Sequence, residues 1–140
     1  KLAGVVKSAP VVPVIGSGRT RFQPIWVEDT ARCVAMALED PGTAGRIIPI
    51  GGPEHLTYEQ IMDMIAETLG VRKPKVHIPV ALMMPMAALM AALQPRPVIT
   101  PGQLSQLSLD NTTELDAVER TFGFRPASLR EKISYIREAR

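Results

Sequence analysis

The side chains that could carry out acid–base, metal or nucleophilic chemistry are few and scattered in this chain. The two histidines, His55 and His77, have no Cys, Asp or Glu around them at the spacing of metal ligands. The single cysteine, Cys33, cannot form an internal disulfide, and its apolar neighbours are typical of a small buried side chain. No Gly-x-Ser-x-Gly motif marks a serine nucleophile. We therefore expect neither a metal site nor a nucleophilic centre.

Two glycine-containing stretches look like nucleotide loops but lack the features that bind phosphate. The run Gly16-Ser17-Gly18-Arg19-Thr20 has no Gly-Lys-Ser/Thr ending and precedes a strand pattern. The pair Gly51-Gly52 has no third glycine at dinucleotide spacing, and the Pro53 that follows has no N–H to offer. We therefore expect that the chain alone binds neither NAD(H) nor NADP(H).

A short segment after the first glycine turn combines cations, aromatic rings and an amide. Two arginines could pair with an anionic group, and the aromatic rings offer flat apolar surface. The candidate substrate-binding residues are Arg19, Arg21, Phe22, Gln23 and Trp26. Two interpretations stay open, because the aromatic residues could instead belong to the core and the arginines to the solvent-exposed surface.

The pattern of the first half predicts short elements around this segment. Lys1–Ser8 reads as a helix end, and the β-branched run Val11–Ile15 reads as an edge strand. Gly16–Gly18 predicts a turn and Thr20–Trp26 a second strand, which together indicate a hairpin.

An amphipathic helix and a buried strand are predicted next. Glu28 and Asp29 suit a helix N-terminus, where carboxylates complement the helix dipole. The residues expected to form the buried stripe of this helix are Ala31, Val34, Ala35 and Leu38. The nearly continuous apolar run Ile47–Ile50 indicates a strand buried on both faces.

Helix boundaries are clear in the second half. Thr57–Gln60 and Ser128–Glu131 both fit the capping box that opens a helix, and Gly70 suits the end of the first of these helices. Stripes are expected at Ile61, Ile65 and Leu69, and at Leu129, Ile133 and Ile136. Thr113–Phe122 predicts another helix, and Thr100-Pro101 starts a short one.

Residues 79–93 form an apolar, Met-rich segment with Pro85 inside it. It is shorter than the roughly 20 residues that cross a bilayer. A kinked helix that is buried or covered by a partner protein is the first interpretation. Peripheral contact with a membrane is the alternative, although the segment lacks the basic face of such helices.

Bulk properties exclude some functions and favour a location. The formal net charge of +2 over 140 residues gives no reason to expect a nucleic-acid partner. A single cysteine and the lack of a targeting pattern fit the cytoplasm.

Three stretches in order carry a resemblance to a known family: Gly16–Asp29, Gly45–Gln60 and Phe122–Ile136. They resemble the extended and atypical short-chain dehydrogenase/reductases, in the NAD(P)-dependent epimerase/dehydratase group and near its branch of complex I accessory subunits. The resemblance implies an α/β fold, a mostly helical substrate-side lobe of a Rossmann-type protein with a few short strands. Residues 1–140 would be a single C-terminal substrate-binding segment, from which the N-terminal NAD(P)-binding part is absent.

The resemblance also implies a function for the longer protein. The parent would use NAD or NADP on a small-molecule substrate, as a nucleoside-diphosphate-sugar epimerase/dehydratase or a reductase. The family's catalytic Tyr-x-x-x-Lys pair is missing, because Met62 follows Tyr58 at that distance and Ala139 follows Tyr135. This chain would therefore hold no catalytic residue. The alternative is a non-catalytic NAD(P)H-binding structural subunit or cofactor-sensing regulator.

The missing N-terminal Rossmann part is the expected partner. Ile47–Ile50 would join its sheet, and an unpaired strand edge seeks another strand. We therefore expect the isolated chain to dimerise.

Overall fold

The computed structural model describes residues 2–93, 101–107 and 109–137. The α-helices are α1 Leu2–Ser8, α2 Val27–Glu39, α3 Tyr58–Leu69, α4 Val80–Leu93, α5 Pro101–Gln106, α6 Ala117–Phe122 and α7 Leu129–Lys132. The strands are β1 Val12–Ile15, β2 Arg21–Phe22, β3 Leu56–Thr57 and β4 Lys75–Ile78, and two 3-10 helices span Pro41–Thr43 and Ile133–Arg137. The predicted α/β class, mostly helical with a few short strands, is confirmed.

The strands pair in a way that corrects the predicted hairpin. β1 is parallel to β4, with Val12 opposite Lys75 and Ile15 opposite Ile78, and β2 is hydrogen-bonded to β3. The hairpin prediction for Gly16–Gly18 and Thr20–Trp26 is wrong, because β1 pairs with β4. The turn after β1 contacts the start of α3 instead. Carbonyl oxygens of Gly18 and Thr20 accept hydrogen bonds from N–H groups in the first turn of α3. Those N–H groups have no partner inside the helix, and the turn satisfies them.

The described residues form two compact units. The first unit takes in residues up to 21 and residues 57–110, and the second takes in residues 22–56 and those from 111 onward. In the first unit α3 packs against α1 and β1. Its buried core consists mainly of Val6, Val12, Val14, Tyr58, Met62 and Ile65.

Helix α3 begins and ends where the sequence predicts. Its capping box is complete, because the Thr57 hydroxyl accepts from the Gln60 N–H and the Gln60 side chain accepts from the Thr57 N–H. Gly70 ends the helix in the left-handed region, at φ 67°. The buried side differs in part from the prediction. Ile65 is buried, but Tyr58 and Met62 complete the stripe, and Ile61 and Leu69 are only half-buried.

The ammonium group of Lys73 terminates α1. Its Nζ donates to the carbonyl oxygens of Val6, Lys7 and Ala9 at 3.1, 2.9 and 2.7 Å. The last carbonyls of a helix have no intrahelical partner and carry the negative end of its dipole. One cation therefore satisfies three acceptors at once.

Helix α4 is the predicted apolar helix, and Pro85 lies inside it. It contacts α5, and Ala87 and Leu104 are buried. Leu82 and Leu89 are exposed. Among the residues that the structure describes, no helix combines the length and the apolarity needed to cross a membrane.

The second unit has a small core. Cys33, Val118 and Phe122 are buried in it, and Cys33 is the buried side chain that the sequence predicts. Partly buried apolar residues pack around them: Ile25, Met36, Ala37, Ile48, Ile50 and Phe124. α7 has its predicted capping box at Ser128 and Glu131, and the 3-10 helix that follows buries Ile133. α6 begins at Ala117, after the predicted start at Thr113.

Two predictions for the second unit are wrong. The predicted buried stripe of α2, namely Ala31, Val34, Ala35 and Leu38, is exposed. Cys33, Met36 and Ala37 face the core instead. Ile47–Ile50 is not a strand, because no strand of the described chain pairs with it, and Ile47 is fully exposed.

Candidate functional site

Gln23 holds the segment that carries three of the candidate residues. Its Nε2 donates to the carbonyl oxygen of Gly52 at 2.7 Å, and its Oε1 accepts from the N–H of Thr113 at 2.6 Å. Both ends of the amide are therefore bound to backbone from two separate loops. The half-buried side chain fixes residues 22–26 against two other loops of the second unit, which makes Gln23 a positioning residue.

Gly51 and Gly52 are glycines because the same segment lies against them. A Cβ on Gly52 would overlap the carbonyl oxygen of Pro24, and one on Gly51 would meet the side chain of Gln23. The pair therefore allows a close backbone approach. The sequence shows the glycines but not the loop that requires them.

Trp26 is half-buried and surrounded by polar and aromatic side chains of its own unit. Its indole Nε1 donates to Glu28 Oε2 at 3.1 Å. Its ring meets Tyr135 edge-on, with 5.2 Å between the centroids, and Lys132 Nζ lies 5.7 Å from the ring centroid. Phe22 is half-buried and forms a bridge with Asn111. Phe22 and Trp26 are thus partly buried, and both interpretations of these aromatic residues stay open.

The two candidate arginines belong to the first unit. Arg21 is bound to Asp110, because its Nε lies 2.9 Å from Oδ2 and its N–H donates to Oδ1 at 2.8 Å. Arg19 is exposed. The five predicted residues thus fall in two groups, Arg19 and Arg21 in one unit and Phe22, Gln23 and Trp26 in the other. Their role in substrate binding stays a prediction.

A charged cluster on the first unit was not predicted. Lys75 Nζ lies 2.7 Å from Glu59 Oε1 and 3.1 Å from Asp63 Oδ1, and His77 Nε2 lies 3.9 Å from Glu59 Oε2. The hydrogen bond from Lys75 lowers the pKa of Glu59, and the hydrogen bonds to Glu59 and Asp63 raise the pKa of Lys75. Each charge has an opposite neighbour, which is typical of a surface ion network. Glu59 and Asp63 share one helix face in the sequence, but the position of Lys75 depends on β4.

Neither tyrosine is arranged for proton transfer. Burial raises the pKa of the Tyr58 phenol, which stays protonated at neutral pH. Tyr135 lies against Trp26, and no lysine follows either tyrosine at the fourth position. Among the described side chains, no group of three His, Cys, Asp or Glu residues could hold a metal ion.

The N-termini of α2 and α3 do not fit the pyrophosphate of a dinucleotide. Such groups bind free N–H groups at a helix N-terminus. At α3 the N–H groups of Tyr58, Glu59 and Gln60 already donate within the protein. At α2 the first turn carries Glu28 and Asp29, which would repel an anion.

The second unit contains an open pocket of about 250 Å³. Its apolar lining comes from α2, from Ile48 and Ile50, and from Phe122, while Thr43 and Arg46 supply its polar part. Cys33 also lines it, and burial raises the pKa of that thiol, so it stays protonated.

Sequence comparison relates the chain to two kinds of longer protein. No protein-family model matches it. It is 32% identical over 84 residues to the mitochondrial NADH dehydrogenase [ubiquinone] 1 alpha subcomplex subunit 9 of Arabidopsis thaliana. It is 29% identical over 129 residues to 3beta-hydroxysteroid-dehydrogenase/decarboxylase isoform 1 of the same plant. These matches cover 59% and 81% of the chain but only 21% and 29% of the relatives.

Structural comparison gives a match over nearly the whole chain. The dTDP-glucose 4,6-dehydratase of Streptomyces venezuelae, solved with NAD bound, matches 98% of this chain at a TM-score of 0.65 and 20% identity. The match covers 37% of the dehydratase. Together these similarities confirm that the chain resembles the short-chain dehydrogenase/reductases of the NAD(P)-dependent epimerase/dehydratase group and shares the fold of part of such a protein.

Proposed function

We propose that this chain is the substrate-binding portion of a longer NAD(P)-dependent epimerase, dehydratase or reductase and is not catalytic alone. The observation that carries the proposal is the segment Phe22–Trp26, which Gln23 holds between Gly52 and Thr113. A binding site requires side chains whose positions are fixed by their surroundings. Trp26 and Phe22 remain partly accessible on this fixed segment.

The candidate residues suggest how a small-molecule substrate would be held. Phe22 and Trp26 would contact its apolar faces, and Gln23 would keep both in place. Arg19 and Arg21 belong to the first unit, and each on its own would pair with an anionic group such as a diphosphate. Arg21 would have to leave Asp110 for a bidentate contact, whereas Arg19 is exposed. The rest of the protein would bind the nicotinamide and carry out proton transfer. We expect the protein in the cytoplasm.

The test measures binding and turnover in the complete protein that the gene encodes. We expect NAD(H) or NADP(H) to bind. We also expect either net oxidation of NAD(P)H with a carbonyl substrate or conversion of a nucleoside-diphosphate sugar with no net change in the cofactor. Trp26→Ala should raise KM about tenfold and leave the Kd of the dinucleotide unchanged, and Trp26→Phe should restore most of the loss. Glu39→Gln, on the exposed charged side of α2, is the matched control. A complete protein that binds no dinucleotide would overturn the proposal.

The 140-residue chain alone provides a second test. The N-terminus of α3 is occupied and that of α2 is acidic, so we expect no measurable affinity for NAD(H) or NADP(H). Micromolar affinity corresponds to about 8 kcal/mol, whereas exposed ion pairs contribute about 0–1 kcal/mol each. Micromolar binding of NADPH by calorimetry would show that the cofactor contacts this chain.

A non-catalytic NAD(P)H-binding subunit or regulator is the second candidate. It is favoured by the similarity to the Arabidopsis NADH dehydrogenase subunit and by Leu82 and Leu89, which are exposed on α4 and could contact a partner protein or a membrane surface. The same assay separates the two candidates. A complete protein that binds NADPH but converts neither carbonyl nor nucleoside-diphosphate-sugar substrates supports the second, and turnover of either substrate at ordinary enzymatic rates supports the first.

A further inference from the structure

The last described segment of the chain, residues 127–137, is fixed beside Trp26. Two carboxylates from other parts of the second unit accept hydrogen bonds from its backbone N–H groups, Asp29 at 2.8 Å and Glu54 at 3.0 Å. Ile133 of the segment is buried, and all of these residues belong to one unit. The side chains that the segment carries are therefore held in defined positions, as a binding site requires.

Two of these side chains, Lys132 and Tyr135, contact the indole ring of Trp26. The planes of the Tyr135 and Trp26 rings lie at 63° to each other, and Lys132 Nζ lies 5.7 Å from the indole centroid. The rings are not stacked, so neither covers both faces of the other. Tyr135 is 50% exposed and Trp26 is half-buried. Flat aromatic surface and a cation therefore meet at one accessible place.

The indole N–H of Trp26 is already used inside the protein. Nε1 is the one polar atom of a tryptophan side chain and can only donate, and it donates to Glu28 Oε2 at 3.1 Å. Glu28 lies in the first turn of α2, where the helix dipole complements its negative charge. A ligand that rests on Trp26 therefore contacts apolar ring surface there, and its polar contacts must come from Lys132 and Tyr135.

The ammonium group of Lys132 has hydrogen-bonding capacity to spare, in contrast to that of Lys73. Both side chains are half-buried. Lys73 donates to three carbonyl oxygens, whereas Lys132 lies over a ring and has no hydrogen bond or ion pair to an oxygen atom of the described residues. The adjacent carboxylate of Glu131 is bound to Ser128. An ammonium carries three donors and binds anions strongly, so this position favours an anionic group.

We propose that Lys132 and Tyr135 complete the substrate site at Trp26, and that this site binds a planar ring bearing a carboxylate or phosphate group. The ring would lie against Trp26 and Tyr135, whose flat apolar surfaces suit it, and the anionic group would pair with Lys132. This inference rests on the proposed function, because it names the class of substrate that Trp26 holds. It adds a cation of the second unit to the two arginines of the first.

The test is the binding of naphthoate, a planar ring with a carboxylate, to the complete protein without cofactor. The matched probe is naphthamide, which has nearly the same shape and no charge. Lys132→Met keeps most of the aliphatic stem and removes the charge. We therefore expect the Kd of naphthoate to rise about tenfold and that of naphthamide to stay unchanged. Lys132→Arg should restore most of the affinity for naphthoate. Titration followed by NMR of the ligand measures these constants.

Three further variants locate the probe. Trp26→Ala and Tyr135→Ala remove ring surface, and each should raise the Kd of both probes about three- to tenfold. Lys7→Met removes the same charge from an exposed position of α1 in the first unit and should change neither Kd. Because naphthamide should still bind to Lys132→Met, its binding also reports that this variant is folded.

Three results would overturn the inference. An equal loss of affinity for both probes in Lys132→Met would mean that Lys132 only holds Trp26 in place. An unchanged Kd of naphthoate in Lys132→Met or in Trp26→Ala would place the probe elsewhere on the protein. A failure of naphthoate to bind at millimolar concentrations would exclude the site altogether.

These measurements need neither turnover nor a dinucleotide. A complete protein that oxidises NADPH with a carbonyl substrate, but whose affinity for naphthoate does not depend on Lys132, would overturn this inference alone. A protein whose affinity for naphthoate depends on Lys132 and Trp26, but that binds no dinucleotide, would overturn only the proposed function.

Discussion

The two units use apolar surface differently, although both open a helix with a capping box. In the first unit α1 and β1 cover the apolar side of α3, and β1 and β4 satisfy each other as a parallel pair. In the second unit a small core covers one side of α2, while Val34 and Leu38 of this helix and the nearby Ile47 stay exposed.

This difference shows that a stripe of apolar residues predicts a helix face but not the element that covers it. The spacing of apolar residues predicts a helix face that is buried. In α3 this face includes the buried Ile65, whereas all four residues predicted for α2 are exposed. The spacing does not say whether the cover comes from the same unit. In α3 other elements of the same unit cover the apolar side, whereas Val27, Val34 and Leu38 of α2 are exposed among the described residues.

The largest expected effect comes from comparing a buried residue of α3 with an exposed residue of α2. Met62 is fully buried in α3, and Leu38 is 83% exposed in α2. Met62→Ala should lower the free energy of unfolding of the isolated chain by about 3 kcal/mol, since buried large-to-small changes remove packing and leave a cavity. Leu38→Ala should change it by less than about 0.5 kcal/mol. Urea denaturation followed by circular dichroism measures both, and similar values would remove the distinction between the units.

Local patterns were enough to predict several features of the fold. Both capping boxes and the end of α3 at Gly70 follow from a few neighbouring residues, and the structure has all three. The resemblance also placed the chain in the right fold class. These features require no knowledge of distant partners, because the hydrogen bonds close within one turn.

Features that depend on distant partners could not be predicted in this way. The hairpin prediction fails because β1 pairs with β4, which follows α3 in the chain. The residues of β1 alone do not identify the strand that pairs with them. Within the candidate site, residue type identified Gln23 but suggested contact with a ligand. Its bonds to Gly52 and Thr113 show that it also holds the segment in place, and its contact with a ligand stays a prediction.

An intermediate effect is expected at Lys73, which closes α1 in the first unit. Lys73→Met removes the donor for three carbonyl oxygens and should lower the free energy of unfolding by about 2 kcal/mol, in the range for hydrogen bonds to charged groups. Lys7→Met, at an exposed position of α1, is the control and should have little effect. Denaturation of both variants provides the measurement. Equal stability of the two would mean that the ammonium group is not the cap of this helix.

The smallest effect distinguishes the two capping boxes by pH. In the capping box of the first unit the side chain of Gln60, which does not titrate, accepts from the N-cap N–H. In the second unit the titratable Glu131 has this role. Hydrogen bonds from the Ser128 N–H and hydroxyl lower the pKa of Glu131 below its ordinary 4.5. A group whose pKa is lowered by folding stabilises the protein above the unfolded value and loses this contribution as the pH falls through the folded value.

Glu131→Gln should therefore reduce stability slightly at pH 7, and the difference from wild type should vanish as the pH falls below about 4.5. Thr57→Ala should cost about 1 kcal/mol for the lost cap of α3, and that difference should stay constant over the same pH range. Unfolding free energies at a series of pH values measure both. If the difference in unfolding free energy between Glu131→Gln and wild type stayed constant with pH, the carboxylate would not be part of the second capping box. The two units would then differ in their apolar surfaces but not in the chemistry of their caps.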